Sequence, residues 1–321
     1  MSRLSRIGLE PVAVLAVFAV MVAAPFMLRE YHLELLILFC INAILIASYR
    51  VVTTTGDWTL SHVIFMGCGA YSTGILAKYL GWPFWLTVPM SGVATAVIGI
   101  MVAFPLLRTK GFGIFIASFA IGEFIRHVWI KFHNPFGGPR GMIGIPTIEI
   151  GDIDFYDSIN FYFMTLAIAV VCLAILYRLD KSRIGKAWKV IYLDEDLAES
   201  IGIHVFNYRA KAFVVAAFFA GIAGALLAHR LEAIDPHNFD IETMVYLIIW
   251  IVVGGNATFW GPLAGLAVMT LIFEWARPLH EWRPLLFGGI LIMFLTILPG
   301  GLERIYEQVR SRFVRGNGGG G

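Results

Sequence analysis

Apolar runs of about twenty residues recur along almost the whole chain, and no other property narrows its fold so far. A helix crossing the hydrocarbon core of a bilayer needs about 20 apolar residues, with a range of about 17–25. Windows of that kind fall near residues 10–28, 33–52, 60–80, 84–107, 112–131, 159–178, 207–229, 241–254, 259–277 and 284–300. They predict an all-α polytopic membrane protein with about ten transmembrane helices. The window at 241–254 is short and that at 60–80 opens in a polar turn, so eight or nine full crossings is the alternative. Composition agrees: 14% of the 321 residues are charged, against roughly 25% in soluble domains. A net charge of +2 gives no reason to expect a nucleic-acid partner.

Residues 1–32 read as an N-terminal segment with a first span. The apolar run from Pro11 to Leu28, behind Arg3 and Arg6, is longer than the 7–15 apolar residues of a signal peptide, so an uncleaved helix is expected. With ten spans and the N-terminus in the cytoplasm, sixteen of the 24 lysines and arginines fall on the cytoplasmic side and seven outside. That bias is the one expected of a multi-pass protein, and it puts both termini inside. Residues 303–321 form a cytoplasmic tail whose glycine-rich end should be disordered. Cys40, Cys68 and Cys172 all lie in apolar stretches without metal-ligand spacing, and read as small packing residues.

No phosphate-binding G-x-x-x-x-G-K-[ST] loop, H-E-x-x-H zinc pattern or G-x-S-x-G nucleophile elbow occurs. The eight histidines are scattered. Nothing supports an enzyme, a metal site or ATP hydrolysis by this chain.

Two glycine clusters stand at span boundaries. The first runs Thr55-Gly56-Asp57-Trp58-Thr59-Leu60-Ser61-His62 and continues into Gly67-Cys68-Gly69-Ala70-Tyr71. Asp57 is placed to cap the helix that follows. The second is Gly254-Gly255-Asn256-Ala257-Thr258-Phe259-Trp260-Gly261-Pro262, with Pro262 in the first turn of a helix. Similar breaks in the two halves suggest an internal repeat, and interrupted apolar segments at matching positions point to a substrate pathway in transporters. The candidate pathway residues are Gly56, Asp57, Ser61, His62, Gly67, Gly69, Tyr71, Gly254, Gly255, Trp260, Gly261 and Pro262. Tight turns and close helix packing explain the same residues.

Glu123 and Arg126, three apart on one helical face, lie inside the window at 112–131. Ionisable groups at membrane depth usually face the interior or a cavity, so the two either pair structurally or meet substrate. Glu274 falls near the external interface. Ala217, Gly221 and Ala225 make a stripe of small residues that lets helices approach closely. Phe136–Pro146 is an external glycine-rich loop, either plainly structural or placed to receive a partner.

The hydrophobic pattern breaks most sharply at Arg178–Lys211, which is basic, then acidic, then basic again. Asp194–Gly202 reads as a short helix, with Asp194, Glu195 and Asp196 in its first turn and Gly202 at its stop. Ile191, Leu197 and Ile201 would give it an apolar docking face. A charged helix between spans is where a membrane pathway would meet a cytoplasmic machine.

An ordered series of segments resembles the permeases of branched-chain amino acid ABC importers, of the LivM type. The likeness runs from about residue 33 to 302. It rests on T-G-D-W-T-L-S-H…G-C-G-A-Y (55–71), R-T-K-G-F-G-I-F-I-A-S-F-A-I-G-E-F-I-R (108–126), G-G-P-R-G-M-I-G-I-P (137–146), S-R-I-G-K-A-W-K-V-I-Y-L-D-E-D-L-A-E-S-I-G-I (182–203) and V-G-G-N-A-T-F-W-G-P-L-A-G (253–265). The resemblance implies a permease domain over 33–302, similar to a type II ABC importer, with an internal inverted repeat and a coupling segment at 181–206. Asp194, Glu195, Asp196, Leu197, Glu199, Ile201 and Gly202 would contact an ATPase. The implied partners are a LivH-type sister permease, two cytoplasmic LivG/LivF-type ATPases that bind Mg-ATP, and a periplasmic or lipid-anchored binding protein. This chain would carry no cofactor and would sit in the bacterial inner membrane.

The departures bear on cargo. Asp57 stands where the family has Gln, Trp58 replaces an aliphatic residue, Ser61 a Gly, and Pro139-Arg140 alters the external loop. Cargo is expected to be a branched-chain amino acid, or a related small solute such as urea, a short amide or an aromatic acid. A stand-alone secondary transporter is the competing class; it would need a self-contained ion site, which the few buried charges do not supply. A non-transporting scaffold would leave the paired glycine breaks without a role.

Overall fold

The computed structural model describes residues 18–303 except 27–28, 110, 151–152, 156, 279–281 and 298–299. Of the expected first span over 10–28, residues 18–23 are helical and Ala24–Phe26 form a 3-10 turn, while 10–17 and 27–28, with nearly all of the 303–321 tail, lie outside the described residues.

Helices carry the described chain: α1 (Glu30–Thr53), α2 (His62–Lys78), α3 (Phe84–Leu106), α4 (Phe112–Lys131), α5 (Ser158–Lys181), α6 (Arg183–Leu193), α7 (Glu195–Ser200), α8 (Val205–Leu231), α9 (Ile241–Gly254), α10 (Gly261–Trp275) and α11 (Arg283–Ile297). Of these, α1, α3, α4, α5 and α8 are long and apolar enough to cross a membrane, and α9 and α10 are shorter apolar helices. This is a multi-pass membrane protein. Each helix from α1 onward, α6 and α7 aside, falls in one of the expected windows.

Local chemistry sets the boundaries. Asp157 accepts the Ile159 N–H at 3.2 Å to start α5, Asp194 the Leu197 N–H at 3.0 Å to start α7, and Asp240 the Thr243 N–H at 3.0 Å to start α9. Each satisfies a donor that the first helical turn leaves orphaned. Pro262 sits in the first turn of α10, where its missing N–H costs nothing. Gly202, at φ +84°, ends the helix begun at Asp194, as the sequence predicts.

The core is built around α8, which packs on α1, α2 and α3. The small-residue stripe explains how. Gly69 of α2 and Gly221 of α8 meet backbone to backbone, and a Cβ on Gly69 would run into the Gly221 carbonyl. Gly224 lies equally close to the Met66 carbonyl. Lipid tails are as apolar as the side chains, so helix association in a membrane depends on such van der Waals contact. Ala212, Phe213, Ala216, Ala217, Ala220 and Ala225 of α8 are wholly buried. Cys40, Cys68 and Cys172 are buried and unpaired. A second, smaller cluster joins α9, α10 and α11 through Ile249, Val253, Met269 and Phe294.

The bundle has two distinct ends. At the loop end, β1 (Met142–Ile143) pairs antiparallel with β4 (Ala233–Ile234), just past α8. A second hairpin joins β2 (Glu149–Ile150) and β3 (Ile153–Asp154). Glu232, at φ +53°, ends α8, and its carbonyl accepts the N–H groups of Gly144 and Ile145 at 3.0 and 3.1 Å. The glycine-rich 136–146 loop is thereby fastened to α8. The opposite, basic end holds Arg50, Arg108, Lys189, Arg209, α6, α7 and both glycine turns; Phe104 of α3 meets Phe206 of α8 there.

Both glycine turns occupy this one end. Thr53 Oγ1 lies 3.1 Å from Asn256 Oδ1, and Arg50 donates to the Ala257 carbonyl at 3.4 Å. An inverted repeat would put corresponding turns on opposite sides, so these two breaks are not an inverted pair.

Candidate functional site

At the basic end, two guanidinium groups organise the helix termini. Arg50, 2% exposed, closes α1 and holds Asp180 of α5 at 2.9 Å, while Lys189 of α6 reaches the same carboxylate at 3.0 Å. The Arg50 guanidinium also lies over the Phe259 ring at 5.9 Å. Arg209, in the first turns of α8, lies 3.2 Å from the Asp57 carboxylate and donates to Glu195 of α7. Asp57 is the correction to the expected cap: Ser61 precedes α2 without a side-chain cap bond. The Asp57 carboxylate instead accepts from Thr55 Oγ1 at 2.9 Å and faces Arg209. Burial pushes its carboxyl up to about 6, against the downward pull of Arg209 and Thr55. One ionic bridge therefore ties the first glycine turn, the long core helix and the short charged helix together.

The predicted docking residues divide into two sets. Ile191 is buried, 1% exposed, so it belongs to the core of this segment and not to its outer face. It packs with Ala198 and Val205, while Trp188 Nε1 donates to the Tyr208 carbonyl at 2.8 Å. Leu197 and Ile201 are outward at 56% and 62% exposed, and Tyr192 and Leu193 join them. Asp196, Glu199 and Gly202 are also exposed, whereas Glu195 turns inward to Arg209.

The pathway candidates around 56–71 sit in the packed interior. Ser61, His62, Gly67, Gly69 and Tyr71 are all buried, and Gly56 alone is exposed. Ser48 Oγ lies 2.9 Å from His62 Nε2, and the Tyr49 ring lies 5.0 Å from the imidazole. A Cβ on Gly67 would meet Trp129, whose indole lies 4.7 Å from the Tyr71 ring. In the second turn, Gly254 abuts Gly261 and Gly265, and Gly255 adopts φ +98°, which a side-chain-bearing residue rarely takes. Trp260 packs on Tyr177 at 5.7 Å, and Pro262 is buried. Glu303 reaches into this turn and accepts the N–H groups of Ala257 and Thr258 at 2.9 and 2.8 Å. Glu123 and Arg126 do pair, Nη2 to Oε2 at 2.7 Å, on the outer face of α4.

Comparison with known proteins decides the class. The family described as branched-chain amino acid transport system, permease component, matches residues 31–297. The chain belongs to this permease family. It is 27% identical over 312 residues to the high-affinity branched-chain amino acid transport system permease protein LivM of Salmonella typhimurium, covering 90% of this chain and 73% of that one. It is similarly 27% identical to the Escherichia coli LivM over 311 residues, 89% of this chain and 73% of the relative. The BraD permease protein of Pseudomonas aeruginosa is 24% identical over 168 residues, 49% of this chain and 54% of BraD. No solved structure matches.

Several polar residues of this permease escape a reading by motif. Arg50 registers in the sequence only as one more basic residue, and its partner Asp180 lies 130 positions away. The lone acid in R-L-D-K is the only hint. At the loop end, Arg230 donates through Nε to Glu34 at 2.9 Å and through Nη2 to Ser158 at 2.7 Å, beside a cavity of about 670 Å³. Phe161, His229 and Glu232 share its wall. Glu274, expected near an interface, accepts from Tyr31 Oη at 2.6 Å.

Proposed function

We propose that this chain is one of two membrane subunits of an ATP-driven importer, spanning the bacterial inner membrane about ten times with both termini in the cytoplasm. The basic end faces the cytoplasm, in keeping with the positive-inside bias, and the loop end faces the binding protein. A LivH-type sister permease completes the pathway. Two LivG/LivF-type ATPases hold Mg-ATP, and one of them docks on the 181–206 segment within a permease domain of 33–302.

The observation that carries this reading is the α6–α7 pair. It presents Leu193, Leu197 and Ile201 to solvent at 79%, 56% and 62% exposure, outside any span. An apolar patch held outward marks a protein contact. The same pair is fixed to the span ends by Glu195–Arg209 and Lys189–Asp180. Force applied to α7 thus reaches α8, and through Arg209 the first glycine turn. A stand-alone transporter has no use for such an anchored outward face.

The cargo that fits best is a branched-chain amino acid. Asp57 bonds inside the protein and is 2% exposed. Its replacement of Gln therefore changes a structural bridge and gives no reason to favour urea, amides or aromatic acids.

The test is reconstitution of the chain with its co-purifying permease and ATPases in proteoliposomes loaded with Mg-ATP and supplied with binding protein. Leucine uptake that needs ATP is the expected outcome. Uptake driven by an ion gradient without nucleotide would overturn the importer reading.

A further inference from the structure

The outer faces of the described spans differ in kind. On α3, Val93, Val97, Ile100, Met101 and Phe104 are exposed, and on α5 Val170, Val171 and Ile175. These faces are purely apolar and suit lipid. Helix α4 is the least buried of the long spans, at 22%. Its inner side, Ile114, Ser118, Gly122 and Trp129, packs on the start of α2, where Ser118 Oγ accepts the Leu60 N–H at 2.8 Å. Its outer side carries Ile116 and Phe119 and then, on the same face, Glu123, Arg126 and His127.

Those ionisable groups are not terminal. Glu123 lies eleven residues into a 20-residue helix, roughly 16 Å along an axis of roughly 30 Å. Helical side chains also lean toward the N-terminus, away from the nearer end. A carboxylate at that depth, paired with a guanidinium one turn nearer the helix end, belongs in a protein interior or a water-filled cavity and not against hydrocarbon. The single chain leaves Glu123, Arg126 and His127 23%, 18% and 68% exposed.

We infer that Glu123 and Arg126 form the binding point at which the pathway holds the charged end of a zwitterionic amino acid, with this face of α4 turned to the translocation path and not to lipid. The inference rests on the importer reading above. The pair places opposite charges 2.7 Å apart, a spacing that complements the ammonium and carboxylate of an α-amino acid. Arg126 bonds Glu123 through Nε and Nη2, and Nη1 has no acceptor among the described residues. Arginine presents five N–H donors in a planar fork, so the guanidinium can take a substrate carboxylate while Glu123 receives the ammonium. Ile116 and Phe119 offer an apolar surface for a branched side chain one to two turns away.

The three native cysteines of this chain are buried, and labelling is read on this chain after it is separated from its partners, against the complex without an introduced thiol. Ile116→Cys and Phe119→Cys are compared with Val97→Cys and Val171→Cys on the apolar faces, in the intact complex in proteoliposomes, using a charged membrane-impermeant methanethiosulfonate. The α4 thiols should react at least tenfold faster than the controls. Leucine should slow the reaction at residue 119, whereas 3-methylbutylamine and 4-methylpentanoate, each lacking one charge, should not. Arg126→Gln should abolish that protection, and Arg126→Lys restore part of it. Labelling no faster than at the controls would overturn the placement of α4. Fast labelling that leucine leaves unchanged, or protection that survives Arg126→Gln, would overturn the binding point. Because labelling is read without ATP-driven uptake, its failure is distinguishable from failure of the importer reading.

Discussion

Replacing Asp180 tests whether the basic end is held by buried charge. Asp180 is 7% exposed and its partner Arg50 2%. Lys189, at 39%, can turn to solvent when the carboxylate is lost, but Arg50 cannot. Among the described residues, Arg50 without Asp180 keeps the Ala257 carbonyl at 3.4 Å and the Phe259 ring face, and its Nε lacks an acceptor there. Removing one member of a buried ion pair costs about 3–5 kcal/mol, because the other charge stays buried alone. Asp180→Asn keeps an amide oxygen for Arg50 and belongs at the lower end, about 3 kcal/mol; Asp180→Leu belongs at the upper, about 5. At about 1.4 kcal/mol per tenfold, the folded-to-unfolded ratio falls by roughly 10² for Asp180→Asn and by roughly 4 × 10³ for Asp180→Leu. The assay is denaturant titration of the purified permease in mixed micelles, followed by tryptophan fluorescence. The double substitution Arg50→Met with Asp180→Leu should be milder than Asp180→Leu alone, since it removes the stranded charge. Equal stability of Asp180→Leu and the parent, or a double variant as damaged as the sum of its singles, would refute the reasoning.

Other predictions follow from neighbouring sites. Burial raises the Asp57 carboxyl from the ordinary 3.8 to about 6 on folding. The folded state therefore holds the extra proton between these values, and stability should fall as pH rises from about 4 to 6. Asp57→Asn should flatten that slope, by roughly 3 kcal/mol at most, as read by thermal melts across the window; an unchanged slope counts against a buried carboxyl here. Gly69→Val forces a branched side chain into the Gly221 backbone, and should abolish a monodisperse peak in size-exclusion chromatography. Leu197→Asp with Ile201→Asp should cut ATPase recovery in pull-downs at least tenfold while leaving the melting temperature alone. Glu195→Lys should lower both, because it sets a second cation beside Arg209. Gly255→Leu, at φ +98° and against Glu303, should suppress uptake; full uptake would argue against a tight second turn.

Much of the fold was legible because a bilayer imposes a length rule on each helix. The windows at 33–52, 84–107 and 112–131 foretold α1, α3 and α4 almost residue by residue. The acidic start and glycine stop of α7 were likewise local signals. What could not be read was pairing at a distance. Arg50 and Asp180, Arg209 and Asp57, and Glu303 with the second glycine turn are separated by 130, 152 and 45 or more positions, and single residues carry no mark of their partners. The same blindness produced the expected Asp57 cap: a polar residue before a helix satisfies the local rule, yet Arg209 competes for its carboxylate and wins with full charge. Glycines 67 and 69 had two readings in the sequence, and each is seen to lie against a facing helix, Gly67 at Trp129 and Gly69 at Gly221.

The meeting of Gly69 and Gly221 also governs when the protein can be assembled. Their helices are made 152 residues apart, so α2 leaves the ribosome and enters the membrane long before α8 exists. Until then Gly69 lacks the helix it packs against, and the polar approach through Asp57 lacks Arg209. The early helices are therefore guests of the insertion machinery, and arrival of α8 supplies the small-residue face, the guanidinium and the strand at Ala233–Ile234 together. Synthesis halted ahead of residue 205 would leave a set of inserted but unassembled spans, a natural substrate for membrane quality control.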